Sequence, residues 1–129
     1  MGEVLVVDDD RTQQLIVSKI LKRMGLKAIF ANDGVEALEQ VQKNHPELVI
    51  LDVLMPRMNG AEVCQRLKEN EQTQKLPVVM YSAQERELSS YWRTGGCADA
   101  YLSKICQPQA LIDTINQLLA SDSRMPALA

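Results

Sequence analysis

Apolar residues occur along the chain as short uninterrupted runs that alternate with longer stretches of mixed polarity. Such a run, bounded by Asp, Gly or Pro, is typical of a strand that is buried on both faces of a parallel sheet. The runs predict strands at Val4–Val7, Leu26–Ala31, Leu48–Leu51, Val78–Tyr81 and Asp99–Ser103. The second run is less uniform than the others, which favours a position at the edge of the sheet.

The stretches between these runs carry apolar side chains at the spacing of one helix face. The positions that define these predicted helices are Leu15, Ile16, Ile20, Leu21 and Met24; Val35, Leu38 and Val41; Ala61, Cys64 and Leu67; and Leu111, Ile112, Ile115, Leu118 and Leu119. In the second helix, we expect Val35, Leu38 and Val41 to form the buried stripe. A more polar stretch, Glu85 to Thr94, predicts a further helix before the fifth strand.

Polar residues at the ends of the first two helices indicate where each begins. Asp10 and Asp33 are followed three positions later by Gln13 and Glu36, the pattern of a capping box. Gly25 follows the first helix, as glycine commonly does at a helix C-terminus. We therefore expect Asp10 to serve as a helix cap rather than as a chemical group.

The predicted strands and helices alternate, five of each, and each pair fits a right-handed βαβ unit. This alternation predicts an α/β fold, a doubly wound, flavodoxin-like parallel sheet with strand order 2-1-3-4-5. We expect one domain over residues 1–121 and a short disordered tail over residues 122–129.

Charge and composition restrict the class of protein. The chain of 129 residues has a net charge of -3 and a pI near 5.1. An acidic domain of this kind is not expected to bind nucleic acid, which normally requires a basic patch. No apolar run approaches the roughly 20 residues that cross a bilayer, and the first strand leaves no room for a signal peptide. We expect a cytoplasmic protein with no membrane contact.

The cysteines and the single histidine do not suggest a chemical site. Cys64, Cys97 and Cys106 are odd in number and lack the spacing of metal ligands, so we expect reduced, buried thiols. His45 precedes Pro46 at the end of a predicted helix, where we expect it to be exposed to solvent.

Charged and hydroxyl residues follow four of the predicted strands. Asp8 and Asp9 follow the first strand, Asp52 the third, Ser82 the fourth and Lys104 the fifth. The carboxyl ends of parallel strands meet at one edge of a sheet, where ligands bind. Three carboxylates about 4 Å apart would repel by roughly 4 kcal/mol per pair at an effective dielectric constant near 20. The arrangement therefore predicts a bound cation.

The oxygen ligands favour Mg²⁺ or Mn²⁺ over zinc, because no histidine or cysteine stands nearby in the predicted fold. The aspartates contribute -3 and Lys104 +1, so a divalent ion would neutralise the remaining charge of -2. A carboxylate beside such an ion, with a lysine and a hydroxyl group, is the set that phosphoryl transfer requires. We expect Asp52 to attack in line and Ser82 to donate a hydrogen bond to the phosphoryl group.

Five motifs resemble those of the response-regulator receiver domain of two-component signalling, of the stand-alone chemotaxis type. They are Val-Val-Asp8-Asp9, Ala-Asn-Asp-Gly-Val-Glu-Ala-Leu at 31–38, Leu-Asp52-Val-Leu-Met-Pro-Arg-Met-Asn-Gly, Tyr-Ser82-Ala and Asp-Ala-Tyr101-Leu-Ser-Lys104. The resemblance extends over residues 3 to about 120. Residues 91–96 are also similar to the tryptophan-containing helix of regulators of twitching motility and phototaxis.

The resemblance implies a phosphorylation-activated switch. Asp52 would take a phosphoryl group from the phosphohistidine of a histidine kinase, and Mg²⁺ would bind Asp8, Asp9, Asp52 and the backbone carbonyl of Leu54. Ser82 and Tyr101 would be the switch pair, and Lys104 would contact the phosphate. Such a protein catalyses only its own phosphorylation and dephosphorylation.

The expected output is contact with another protein through the face of the fourth and fifth helices, rather than binding to DNA. The sequence leaves open whether phosphorylation produces a dimer, which kinase supplies the phosphoryl group and which process the protein controls.

Two residues depart from the family pattern. Ile105 stands where the family usually has proline after the lysine, and Leu54 stands where a polar residue is common. A cis bond before isoleucine costs roughly 2.5 to 4 kcal/mol, so we expect the Lys104–Ile105 peptide to be trans. Leu54 should leave the metal site intact but removes a side chain that could contact the attacking water, so the rate of dephosphorylation stays open.

Two other functions are compatible with part of the pattern. Asp8-Asp9-Asp10 contains the Asp-x-Asp of phosphatases of the haloacid-dehalogenase type, but that function leaves Asp52 without a role. A receiver-like binding module that works without phosphate is the other alternative, and the complete set of charged residues argues against it.

Overall fold

The computed structural model of the chain describes residues 2–53, 58, 60–83 and 98–120. Its sheet has five parallel strands: β1 (Glu3–Val7), β2 (Lys27–Ala31), β3 (Leu48–Leu51), β4 (Val78–Ser82) and β5 (Ala100–Ser103). Their order is β2-β1-β3-β4-β5, which confirms the predicted doubly wound, flavodoxin-like sheet.

Burial follows the position of each strand in the sheet. All residues of β3 and β4 are buried, as is β1 after its first residue, because helices cover both faces of these central strands. The edge strand β5 is half-buried throughout, and β2 runs from the exposed Lys27 to the buried Ala31. The expectation that the second strand lies at an edge is therefore confirmed.

The described residues contain helices α1 (Arg11–Arg23), α2 (Gly34–Asn44), α3 (Gly60–Glu69) and α4 (Pro108–Ala120). These correspond to four of the five predicted helices. The predicted helix over residues 85–94, with Trp92, and the predicted tail over residues 122–129 lie outside the described residues.

The predicted N-caps of the first two helices are confirmed. The side chain of Asp10 accepts a hydrogen bond from the Thr12 amide, and that of Asp33 accepts one from the Glu36 amide. After α1, Gly25 has a φ of 77°, a left-handed conformation that glycine adopts without steric cost.

Two of the predicted apolar faces differ in detail from the buried faces of the structure. Leu15 and Ile16 are 55% and 45% exposed, because the buried face of α1 runs through Gln14, Val17 and Leu21. Each helical residue is rotated by about 100° from the one before it, so the two positions after Gln14 turn away from the sheet. Val35 is exposed for the same reason, since it follows the buried Gly34 at the start of α2.

Two hydrophobic clusters cover the faces of the sheet. One contains Leu5, Val7, Leu51 and Met80 with buried residues of α2 and α3. The other contains Val6, Ile50 and Val79 with buried residues of α1 and α4. In the described part of the chain, no helix is long and apolar enough to cross a membrane.

The two described cysteines are in the thiol form, Cys64 buried and Cys106 half-buried. Burial raises the pKa of the Cys106 thiol, so it stays protonated at neutral pH. His45 is exposed, as expected, and Cys97 lies outside the described residues.

A polar contact holds the beginning of β5 against β4 and α3. The Asp99 carboxylate accepts a hydrogen bond of 2.8 Å from the Val78 amide. It also forms an ion pair with the Lys68 ammonium, 2.9 Å away. The same lysine ammonium donates to the backbone carbonyl of Leu76, 2.9 Å away. A single lysine thus connects α3, the segment before β4 and the segment before β5.

We expect Asp99→Ala to lower the free energy of unfolding by about 1 to 3 kcal/mol, because it leaves the Val78 amide and Lys68 without their shared acceptor. Urea denaturation followed by circular dichroism measures the change. Gln65→Ala is the control, since it removes an exposed i,i+4 hydrogen bond to Glu69 that contributes about 0.5 kcal/mol or less. Equal effects of the two substitutions would contradict the role of Asp99.

Candidate functional site

The ladder bonds of the sheet bring four strand ends to one edge. The Asp8 amide donates to the Ala31 carbonyl at 3.1 Å and the Asp52 amide to the Val7 carbonyl at 3.0 Å. At the other side of the sheet, the Lys104 amide donates to the Ser82 carbonyl at 2.8 Å. Asp8, Asp52 and Lys104 are therefore fixed by backbone hydrogen bonds at the carboxyl ends of β1, β3 and β5.

Three carboxylates form a cluster at this edge. One oxygen of each of Asp8, Asp9 and Asp52 lies within 4.8 Å of the others, with Asp8 buried, Asp9 exposed and Asp52 intermediate. At that separation two full charges repel by about 3 to 4 kcal/mol at an effective dielectric constant near 20, and less where solvent screens them. The three oxygen donors, with no histidine or cysteine in the cluster, fit a hard divalent cation such as Mg²⁺.

Lys104 supplies a positive charge inside this cluster. Its ammonium lies 2.6 Å from Asp8 Oδ2 and 3.4 Å from Asp52 Oδ2, and its side chain is only 11% exposed. Burial alone would lower the pKa of Lys104, but the hydrogen bond to Asp8 and the charge of Asp52 outweigh burial and raise the pKa. Lys104 therefore stays charged at neutral pH.

The carboxylates of Asp8 and Asp9 have different surroundings. Asp8 Oδ1 accepts a hydrogen bond of 2.9 Å from the Asp10 amide, while Asp8 Oδ2 faces Lys104. Within the described ranges, the Asp9 carboxylate makes no hydrogen bond or ion pair. Asp9 is thus the member of the cluster that is both exposed and free to take a new ligand.

Gly60, the first residue of α3, lies directly against Asp52. Its amide donates to the Val53 carbonyl at 2.9 Å. A Cβ atom at this position would stand 2.3 Å from the Asp52 carbonyl oxygen, which is far inside van der Waals contact. The close approach of α3 to the strand end therefore requires glycine, and it helps to fix the position of Asp52.

The structure also describes the two residues of the predicted switch pair. Ser82 is almost completely buried at the end of β4. The Tyr101 side chain packs partly buried against the cluster that contains Met80, and its hydroxyl accepts a hydrogen bond of 3.2 Å from the Ala98 amide. Leu54, whose carbonyl was predicted as a metal ligand, lies outside the described residues.

The peptide bond between Lys104 and Ile105 is trans, as expected from its energy, and the described residues contain no cis bond. The Ile105 amide donates to the Ser103 hydroxyl at 3.2 Å, and the isoleucine side chain is 77% exposed. Lys104 therefore reaches Asp8 and Asp52 without the proline that the family usually has after the lysine.

Gln14 is a residue of this region that was not predicted. It is buried, and its side-chain nitrogen lies 2.7 Å from the Asp8 carbonyl oxygen. A polar residue in register with Val17 and Leu21 on the buried face of a helix is the sequence signal that would have identified it.

The comparisons with known proteins agree with this architecture. The sequence-family model of the response regulator receiver domain matches residues 4–116 of this chain. Protein PilH of Pseudomonas aeruginosa is 28% identical over 93% of this chain and 99% of its own length. Two other relatives are longer proteins. The chain is 32% identical to the transcriptional regulatory protein PhoP of Bacillus subtilis, of which it covers 48%, and 36% identical to the response regulator MprA of Mycobacterium leprae, of which it covers 50%.

Two solved structures extend the similarity to the fold. The chemotaxis response regulator CheY4 of Vibrio cholerae has a TM-score of 0.80 at 30% identity, over 92% of this chain and 98% of that one. The response regulator protein TrrA of Thermotoga maritima, in complex with Mg²⁺ and BeF, has a TM-score of 0.82 at 28% identity, over 92% and 99%.

We expect Asp9→Asn to raise the free energy of unfolding in EDTA by up to about 1 kcal/mol, because it removes one charge from a cluster of like charges. The same substitution should reduce the stabilisation that Mg²⁺ adds, since a ligand that binds only the folded state stabilises it. Thermal denaturation in EDTA and in excess Mg²⁺ measures both effects.

The control is Glu39→Gln, which removes an exposed negative charge from α2 without touching the cluster. Its response to Mg²⁺ should equal that of the wild type. Destabilisation of Asp9→Asn in EDTA, or an unchanged response of this variant to Mg²⁺, would contradict the role of Asp9.

Proposed function

The chain belongs to the response regulator receiver domain family of two-component signalling, and on this basis we propose that it accepts a phosphoryl group on Asp52 from a histidine kinase. The observation that carries the proposal is the convergence of Asp8, Asp9, Asp52 and Lys104 at the carboxyl edge of the sheet.

The position of Asp52 suits a nucleophile. One of its oxygens forms the new bond to phosphorus while the bond from phosphorus to the donor's imidazole nitrogen breaks, and the electron pair returns to that nitrogen. The Asp52 amide donates to the Val7 carbonyl and Gly60 approaches the Asp52 carbonyl closely, so the backbone that carries the carboxylate is fixed before the donor arrives. Lys104, 3.4 Å from Asp52, offsets the negative charge that arrives with the phosphoryl group.

Receiver domains in general bind Mg²⁺ at an acidic pocket, and the acidic cluster of this chain fits that ion. We assign its ligands to Asp8, Asp9, Asp52 and the backbone carbonyl of Leu54. When bound, the ion would neutralise oxygens of the transferred group. The complex of the related TrrA with Mg²⁺ and BeF supports Mg²⁺ as the ion.

Ser82 and Tyr101 form the proposed switch. Ser82 lies one strand away from both Asp52 and Lys104, and its hydroxyl donates a hydrogen bond to the phosphoryl group on Asp52 in the active state. The Tyr101 hydroxyl, held here by the Ala98 amide, moves inward in that state. Phosphorylation shifts the equilibrium only through such differential contacts.

The partners of a receiver domain are a histidine kinase and a downstream target. For this chain we propose a protein target that binds the face of the predicted helix over residues 85–94 and of α4. The similarity to CheY4, a chemotaxis response regulator, supports a role in the control of motility, and we place this role in the cytoplasm.

The phosphatase alternative finds no support in the site. The Asp10 side chain of the Asp-x-Asp pattern accepts a hydrogen bond of 2.8 Å from the Thr12 amide and serves as the cap of α1. The alternative of a phosphate-independent binding module has no specific observation in its favour, since the charged cluster is complete.

We expect the protein to incorporate phosphate from acetyl phosphate in the presence of Mg²⁺, and Asp52→Asn to abolish incorporation. Intact-mass spectrometry measures the product. Asp10→Asn is the matched control: asparagine still caps the helix, so this variant should be phosphorylated like the wild type. Equal phosphate uptake by wild type and Asp52→Asn would refute the assignment, and loss of uptake in Asp10→Asn would favour the phosphatase pattern.

We expect Ser82→Ala to be phosphorylated but to respond at least about tenfold less, because a hydrogen bond to a charged group contributes about 1.5 to 3 kcal/mol and each 1.4 kcal/mol is a factor of ten. The response is the change in fluorescence of the single tryptophan when Mg²⁺ and beryllofluoride, a phosphoryl mimic, are titrated in. Ser18→Ala is the control, since among the described residues that hydroxyl bonds within its own helix, to the Leu15 carbonyl. An undiminished change in Ser82→Ala would contradict the switch.

A further inference from the structure

Among the described residues, four polar side chains are buried: Asp8, Gln14, Asp33 and Ser82. Asp33 caps α2, and Asp8 and Ser82 belong to the site described above. Gln14 has no role in that site, yet it is only 8% exposed and lies on the face of α1 that packs against the sheet. A buried amide is costly unless it is hydrogen-bonded, so its contacts indicate why it is there.

The side-chain nitrogen of Gln14 faces three acceptors. It lies 2.7 Å from the Asp8 carbonyl oxygen, 3.0 Å from Asn32 Oδ1 and 3.5 Å from the Ala31 carbonyl oxygen. The two shorter contacts match the two hydrogens that an amide nitrogen can donate. Gln14 thus joins the end of β1 to the turn after β2, from a position on α1.

The contact to Asp8 is made at the peptide group that connects Asp8 to Asp9. Pairing of β1 with β2 ends with the bond from the Asp8 amide to the Ala31 carbonyl, and the Asp8 carbonyl extends beyond it. Gln14 supplies the donor for this carbonyl. Asp10 holds the backbone on the other side of Asp9. The Asp10 backbone amide donates to Asp8 Oδ1, and the Asp10 carbonyl accepts a hydrogen bond from the backbone amide of Gln14.

Asp9 therefore depends on these backbone contacts. Its carboxylate has no partner among the described residues, so the described contacts that orient it are those of the peptide groups on either side. A neutral amide is suited to this place because it donates a hydrogen bond without adding charge, whereas a lysine or arginine would bring a positive charge that competes with a metal ion. A glutamate would place a fourth carboxylate against three acceptor oxygens.

From this geometry we infer that Gln14 is a positioning residue, which orients the Asp8–Asp9 peptide so that the Asp9 carboxylate is directed at the cation. The inference rests on the proposed function, because it concerns the affinity of the proposed Mg²⁺ site. It assigns Gln14 no contact with the ion or the phosphoryl group.

The test compares Gln14→Met with the wild type. Methionine has a similar size and shape but donates no hydrogen bond. We expect the dissociation constant for Mg²⁺, measured by calorimetry without any phosphodonor, to rise about tenfold, the lower end of the effect of removing a group that orients a metal ligand. The rate of phosphorylation by acetyl phosphate should recover toward the wild-type rate at saturating Mg²⁺, because Asp52 and Lys104 are untouched.

Two controls separate positioning from loss of stability. Gln13→Met makes the same chemical change one residue earlier on α1, outside the buried face, and should leave Mg²⁺ affinity within twofold of the wild type. Val41→Ala, in the core contributed by α2, should lower the free energy of unfolding in EDTA without changing Mg²⁺ affinity. If Gln14→Met does not fold, Gln14→Asn replaces it, since its shorter amide keeps the site polar but cannot span the same distance.

The outcomes distinguish this inference from the proposed function. If the wild type binds no Mg²⁺, the proposed function fails at the metal site. If the wild type binds Mg²⁺ and the Gln14 variant binds it within twofold, only the role of Gln14 is refuted. A lower phosphorylation rate at saturating Mg²⁺ with unchanged affinity would also refute the positioning role.

Discussion

Repulsion among the carboxylates at the carboxyl ends of the strands is the constraint on which the site depends. Asp8, Asp9 and Asp52 approach within 4.8 Å because backbone hydrogen bonds fix their strand ends side by side. Among the described residues, Lys104 supplies a positive charge to this cluster. It follows β5, the outermost strand of the sheet. One lysine cannot neutralise three aspartates, so the folded protein retains a net negative charge at the place where a cation must bind.

Strand β5 connects this constraint to the rest of the fold. It is an edge strand and only half-buried, so packing alone holds it less firmly than the central strands. Ion pairs secure it at both ends: Asp99 with Lys68 before the strand, and Lys104 with Asp8 and Asp52 after it. Tyr101 lies between these two anchors, so a change of charge at one end acts on a strand that is fixed at the other.

The sequence predicted the sheet well because its signal is local. Runs such as Leu48–Leu51 are buried on both faces, and their alternation with helices leaves few possible topologies. Knowledge of the strand ends then places Asp8, Asp52 and Lys104 together without side-chain detail. What failed was the choice of helix face. The apolar spacing grouped Leu15 and Ile16 on one face of the first helix, whereas Gln14 lies on the buried face. The apolar pattern carries no information about the Asp8 carbonyl, which needs a hydrogen-bond donor. That requirement becomes visible only when β1, β2 and α1 are assembled.

The strand order also has a consequence for how the protein folds. The contact between Lys104 and Asp8 joins residues 96 positions apart, since β1 lies inside the sheet and β5 at its far edge. Contacts between distant residues form slowly because a long loop must close first. While the chain emerges from the ribosome, Asp8, Asp9 and Asp52 are all synthesised before the lysine that compensates them. The three carboxylates can therefore come together only after β5 has added Lys104 or after a cation from solution has bound. In the second case Mg²⁺ would assist folding before the protein meets any phosphodonor.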